Sequence, residues 1–245
     1  MHLGSIFQQL VHGEFSELNF GDGQGVIGPN NFDRMTNMVN LGLAALYKRF
    51  KIKEGRVWLQ LEEGKYEYIL HSDYAVSTKV PKEKYIIDSK GNPFINDINK
   101  IEEVSTQEDF KLPLNDPNQP YSVITLKQNV LEFPKIFVDD QKNMPEKMRG
   151  TLLKVTYRAG HGAAICCPSY YDPNMVDVPL PDMYLEALLY FVASRVYNPI
   201  GFNQDFHHGN NFAAKFEAEC QRLELMGLQL DSTVMNDRFV KNGWC

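Results

Sequence analysis

Five side chains of this chain, His161, Cys166, Cys167, His207 and His208, are of the types that bind transition metals. Adjacent cysteines direct two sulfurs poorly onto one tetrahedral ion, and no ligand ladder surrounds them. The spacing predicts loop histidines and free thiols, with Cys220 as a small core residue, and no metal site. A thiolate nucleophile needs an imidazole in hydrogen-bond reach and a third group to orient it. His161 and Cys166 supply the first two types, but nothing around the cysteines marks a nucleophile. Gly23, Gly25 and Gly28 spell GxGxxG, the spacing that lets backbone amides approach a pyrophosphate. The preceding GEFSELNF is not a buried strand, Pro29 follows at once, and no acidic residue falls near Lys48 to Phe50. A surface loop is expected there, and no cofactor. Asp88-Ser89-Lys90-Gly91-Asn92 puts lysine where a calcium loop needs an oxygen, so a β-turn is the better reading. Glu102, Glu103, Glu108 and Asp109 contain the carboxylate pair of a glycoside hydrolase in principle. Adjacent charges at a strand end read more simply as a solvated edge. No catalytic residue is assigned, and the chain is not expected to be an enzyme.

The elements around these residues follow from periodicity. Ile6, Phe7, Leu10 and Val11 predict a helix over Leu3 to Val11, and Met35, Met38, Val39, Gly42 and Leu46 predict a second ending near Phe50, capped by Asn30, Asn31 or Asp33. From Arg56 the period drops to two. Val57, Leu59 and Leu61, answered by Tyr66, Tyr68 and Leu70 across Glu63-Gly64, predict a β-hairpin. Further strands are expected near Tyr85 to Ile87, Ile98 to Val104, Tyr121 to Leu126, Val130 to Phe133 and Leu152 to Tyr157. Helices return at Pro181, through the nearly all-apolar ALLYFVA, and again from about Asn210 to Met226, with Gly227 as a stop and Lys215 four residues before Glu219. The expected fold class is α+β: a helical bundle formed by N- and C-terminal helices with an inserted antiparallel β unit. The corresponding limits are 1–55 and 160–227 for the bundle, 56–159 for the β domain and 228–245 for a C-terminal arm.

Composition bounds the function. A net charge of -6 over 245 residues argues against a surface that coats nucleic acid, which draws its strength from lysine and arginine. An acidic wall repels DNA, which suits a conduit. No apolar run is long enough to span a membrane, and the N-terminus lacks the pattern of a signal peptide. Synthesis in a reducing cytoplasm is expected, with the four cysteines free. Trp58, Tyr66, Tyr68, Tyr74 and Tyr85 in the β unit could stack on sugars, although alternating aromatics are also ordinary cross-strand packing.

Several segments resemble the head-to-tail connector, or adaptor, proteins of tailed bacteriophages, particularly the short-tailed N4-like group. They are IFQQLVHGEFSEL, NLGLAALYKRF followed by VWLQLE, PDMYLEALLYFVASRVYNPIG, and FHHGNNFAAKFEAECQRLE. IIDSKGNPFINDINKIEEV matches loosely. The resemblance implies a structural virion protein at the portal-tail junction, in a homo-oligomeric ring, commonly of twelve copies, beneath the portal. Such a ring extends the channel for genomic DNA without sequence-specific binding and docks the tail proteins. Helices apolar on two sides fit a ring, and Leu185, Leu188, Leu189, Phe191, Val192, Phe212 and Phe216 are the expected ring-interface residues. By the same analogy the arm reaches the portal or a neighbouring subunit, with Val234, Met235, Phe239, Val240 and Trp244 as apolar anchors and Asn236, Arg238 and Lys241 as polar contacts. The rival expectation is a virion-associated carbohydrate-binding or peptidoglycan-directed protein that uses the β domain.

Overall fold

A computed structural model of the chain describes residues 1–15, 27–139, 144–162, 165–167, 171–197 and 204–228. The fold is α+β, with five α-helices and two antiparallel sheets among the described residues. In chain order the helices are α1 (Leu3–His12), α2 (Phe32–Arg49), α3 (Lys135–Asp139), α4 (Leu185–Tyr197) and α5 (Gln204–Leu223). The strands are β1 (Glu54–Gln60), β2 (Glu67–Ile69), β3 (Ile86–Ile87), β4 (Ile98–Thr106), β5 (Ile124–Lys127), β6 (Val130–Glu132) and β7 (Leu152–Ala159). The chain divides into two compact units, Met1–Ile52 with Ala163–Cys245, and Lys53–Gly162.

The first unit is helical. In α1, Leu3, Ile6, Phe7 and Leu10 recur at helical spacing and are buried. Asp33 in the first turn of α2, and Lys48 and Arg49 in its last, oppose the helix dipole at each end. Between them Met35, Val39, Leu43 and Leu46 are fully buried. Gly42 sits where α2 meets α4. A Cβ at that position would lie 2.5 Å from Leu188 Cδ1 and 3.1 Å from Phe191 Cδ1, so only glycine allows the helices this approach. α4 is apolar on nearly every side because α2 packs on it from one direction and α5 from another.

Polar bonds knit the two ends of the chain into this unit. Leu3 N–H donates to Val176 O at 2.9 Å and Val178 N–H to Met1 O at 2.8 Å. Asn40 holds Ile165 by both backbone groups at 2.8 Å, and the Tyr197 hydroxyl donates to Glu14 O at 2.8 Å. At the C-terminal end of α2, Arg49 grips both oxygens of Glu217 at 2.6 and 2.8 Å, and its Nε donates to Glu224 at 2.5 Å.

The Arg49 hydrogen bonds hold the Glu217 carboxyl below its ordinary range. A depressed folded-state pKa contributes stability that is full above the unfolded value near 4.5 and is lost as pH falls through the folded one. The pair is half exposed on the glutamate side, so the contribution is about 1 kcal/mol or less. In urea melts at successive pH values, wild type and Arg49→Met should differ at pH 7 and converge on acidification. A difference that stays constant down to pH 2 would show that the pair stores no pH-dependent stability.

α5 starts earlier than the expected Asn210, and a wider helical turn over Glu224–Leu228 follows it, in which Gly227 takes a left-handed φ of 76°. The expected Lys215–Glu219 pair is not made. Glu219 is gripped by Arg222 at 2.6 and 2.7 Å, while Lys215 lies over the rings of Phe212 and Tyr190 at 5.1 and 5.7 Å. Arginine's planar fork outcompetes the ammonium for a bidentate carboxylate.

The second unit holds all seven strands found among the described residues, in a four-stranded sheet of order β3-β1-β7-β4 and a three-stranded sheet of order β2-β6-β5. The expected hairpin of β1 with β2 is not formed. β1 pairs along its whole length with β7, from Glu54 opposite Arg158 to Gln60 opposite Leu152, and β2 pairs with β6. Leu61 N–H still donates to Thr151 O at 2.6 Å, and Glu62 N–H goes to the Tyr68 hydroxyl at 2.6 Å, so the turn at Gly64, φ 73°, carries the chain into a second sheet. β7 offers β1 a longer ladder than β2 can. Behind the sheets Tyr68 meets Tyr85 and Phe133 edge-on at 5.1 and 5.6 Å, and the short α3, absent from the periodicity, adds the buried Phe137.

Candidate interaction surfaces

The residues expected to close a ring lie within the helical unit's own core. Leu188 and Val192 are fully buried, Leu189 and Phe191 nearly so, and Leu185, Phe212 and Phe216 pack partly buried against the same cluster. Phe191 meets Phe216 edge-on at 5.3 Å, and Phe212 stacks on Tyr197 at 5.4 Å along the α4–α5 seam. Two faces of α4 are apolar because it has two neighbours in the same subunit. The large apolar side chains in solvent on this unit include Leu41, Tyr171, Met175, Met183, Leu225 and Met226. The arm residues Val234, Met235, Asn236, Arg238, Phe239, Val240, Lys241 and Trp244 lie outside the described residues.

The second unit carries a groove of about 800 Å³ beside β1. One wall is Lys53 to Trp58, the other the segment from Ile87 to Asp97, and Tyr157 reaches it from β7. The groove opens because β3 is short. It pairs with β1 only at Trp58–Ile87 and Leu59–Ile86, after which the chain bends away at Asp88 into a turn closed by a bridge between Ser89 and Asn92. The Asp88 carboxylate fixes that bend by accepting Ser77 N–H at 2.8 Å, Ser77 Oγ–H at 2.5 Å and Phe94 N–H at 2.8 Å. Burial alone would raise its pKa, and these hydrogen bonds outweigh burial and lower it. Asp97 accepts from Lys53 Nζ at 3.0 Å and from the Tyr157 hydroxyl at 3.2 Å. Trp58, Ile87 and Ile95 remain partly in solvent at 37%, 40% and 47% exposure.

The other chemistry-bearing residues are dispersed or already engaged. Glu102 is buried against Arg158 at 3.0 Å, Glu103 pairs with Lys111 at 2.5 Å, and Asp109 pairs with Lys154. Cys166 is exposed while Cys167 and Cys220 are buried; burial pushes the Cys220 thiol up to about 11. Among the described residues no group of three His, Cys, Asp or Glu side chains gathers as metal ligands would. The Asp88–Asn92 stretch is the turn at the groove's mouth. Gly23 and Gly25 lie outside the described residues, and Gly28 precedes a short helical turn over Pro29–Asn31. Sequence reasoning missed the groove and the buried Arg158–Glu102 pair; Arg158 stands between the apolar Tyr157 and Ala159, but Glu102 has Glu103 beside it and so reads as part of a solvated edge. No helix among the described residues is long and apolar enough to cross a membrane. No protein-family model matches the chain, and no curated protein matches it.

Proposed function

We propose that the chain is a structural head-to-tail adaptor of a tailed bacteriophage virion that acts by docking and not by catalysis. In this reading the helices from both ends form a bundle, and copies close into a ring beneath the portal, with twelve as the expected number. The ring extends the DNA channel, and its β unit and C-terminal arm meet tail and portal proteins. The observation that carries the reading is a helical unit assembled from both ends of the chain that leaves Leu41, Met183, Leu225 and Met226 in solvent. A contiguous apolar patch marks an association surface, and these four side chains are this unit's candidates for one; the resembling segments fall on α1, α2, β1, α4 and α5. A net charge of -6 suits a wall past which DNA slides.

Native mass measurement of the purified chain, alone and mixed with portal, tests this. The expected results are a closed multimer and a joint complex. A monomer that ignores portal would sink the proposal. Deleting Asp231 to Cys245 should reduce portal capture, and undiminished capture would remove the arm from the docking role.

A further inference from the structure

We infer that the groove beside β1 takes the Ser232–Asn236 segment of a second copy of this chain as an added β-strand. The inference deepens the ring reading and rests on it for the presence of a neighbouring copy.

Backbone bonding sets out the edge. Ala159 N–H donates to Lys53 O at 2.9 Å and Leu61 N–H to Thr151 O at 2.6 Å, so odd-numbered residues of this stretch bond toward β7. Gln60 N–H donates to Tyr85 O at 2.8 Å, so even-numbered residues bond toward β3. The ladder on that side ends at Trp58. By this alternation Arg56 directs its N–H and C=O into the groove, where no described strand pairs with it. A sheet edge with room beside it is the geometry of β-strand addition, in which main-chain bonds give affinity and alternate side chains give specificity.

The lining favours a peptide over a sugar. Carboxylates that would accept from sugar hydroxyls are already committed, Asp88 to Ser77 and Phe94 and Asp97 to Lys53 and Tyr157. What stays available is strand edge, the apolar rim of Trp58, Ile87 and Ile95, and the donors of Lys53 and Arg56.

The occupant follows from length and charge. Lys53 to Val57 is an edge of five residues, about 17 Å long at strand spacing. After α5 the sequence runs Asp231-Ser-Thr-Val-Met-Asn-Asp237, which is five uncharged residues with two β-branched members and no glycine or proline, between two aspartates. The edge is flanked by Lys53 and Arg56, whose side chains are 45% and 69% exposed and keep donors beyond those given to Asp97 and Glu54. Acidic ends on an uncharged strand match that wall.

The chain has two tryptophans, Trp58 and Trp244, so in full-length protein carrying Trp244→Phe the emission reports Trp58 alone. Sedimentation and emission are followed together for this protein and for versions adding Arg56→Pro or Met235→Pro. Proline at 56 removes the N–H that faces the groove and leaves the β7 ladder intact; proline at 235 touches only the added strand. The parent should form multimers with blue-shifted Trp58 emission, and each proline should lower the mass and shift emission to the red with unchanged circular dichroism. Excess synthetic 229–245 peptide with Trp244→Phe should restore the blue shift in the Met235→Pro protein but not in the Arg56→Pro protein. A parent that assembles while neither proline nor peptide moves Trp58 overturns the inference and leaves the ring reading standing. A monomeric parent whose Trp58 responds to both prolines places the segment in its own groove and overturns the second-copy assignment, as does emission that answers only to added peptidoglycan fragments.

Discussion

Arg158→Ala is expected to destabilise the β unit by about 3–5 kcal/mol, because it strands a carboxylate in the interior. The Arg158 and Glu102 side chains are only 5% and 4% exposed and meet at 3.0 Å across β7 and β4. With the guanidinium gone, Glu102 keeps the desolvation cost of its charge and loses the partner that offset it. The double variant Arg158→Met with Glu102→Leu should recover most of the loss, since well-packed apolar residues often replace a buried pair at little cost. Urea unfolding of the two proteins decides the matter. If the single variant melts within about 0.5 kcal/mol of wild type, the range of ordinary surface substitutions, the pair is not a structural element of this sheet.

Leu189→Lys in α4 should unfold the helical unit. Leu189 is 7% exposed and belongs to the cluster shared by α1, α2, α4 and α5. A buried lysine is driven neutral by several pKa units, so the cost is about 4 kcal/mol or more. The informative contrast is Leu41→Lys on α2, where the side chain is 54% exposed and the stability change should stay within about 0.5 kcal/mol. Thermal melts separate the two variants, and mass measurement of Leu41→Lys shows whether that face carries association. A folded, fully stable Leu189→Lys would mean that α4 is not the centre of its own unit.

These two residues show what a single sequence reveals. The switch from a 3.6-residue to a two-residue period at Arg56 located the strands, because alternation is imposed by the pleat itself. It could not pair them. Val57, Leu59 and Leu61 alternate in the same way whether β1 lies beside β2 or beside β7, and that choice depends on residues about a hundred positions away. The apolar girdle of α4 likewise identified a helix with neighbours on two sides without naming them, and both turned out to be α2 and α5 of the same subunit. Arg158 and Glu102 find each other only through the register of β4 on β7, so their partnership was invisible to spacing. The groove depended on something still less local, the early end of β3.

The pairing of β1 with β7 places the entry and exit of the β unit on adjacent strands, with Ala159 N–H bonded to Lys53 O at 2.9 Å. The unit is therefore a cassette whose two ends coincide. A gene can gain, exchange or lose it at one point. Such a layout lets the inserted part vary while its points of entry and exit stay fixed.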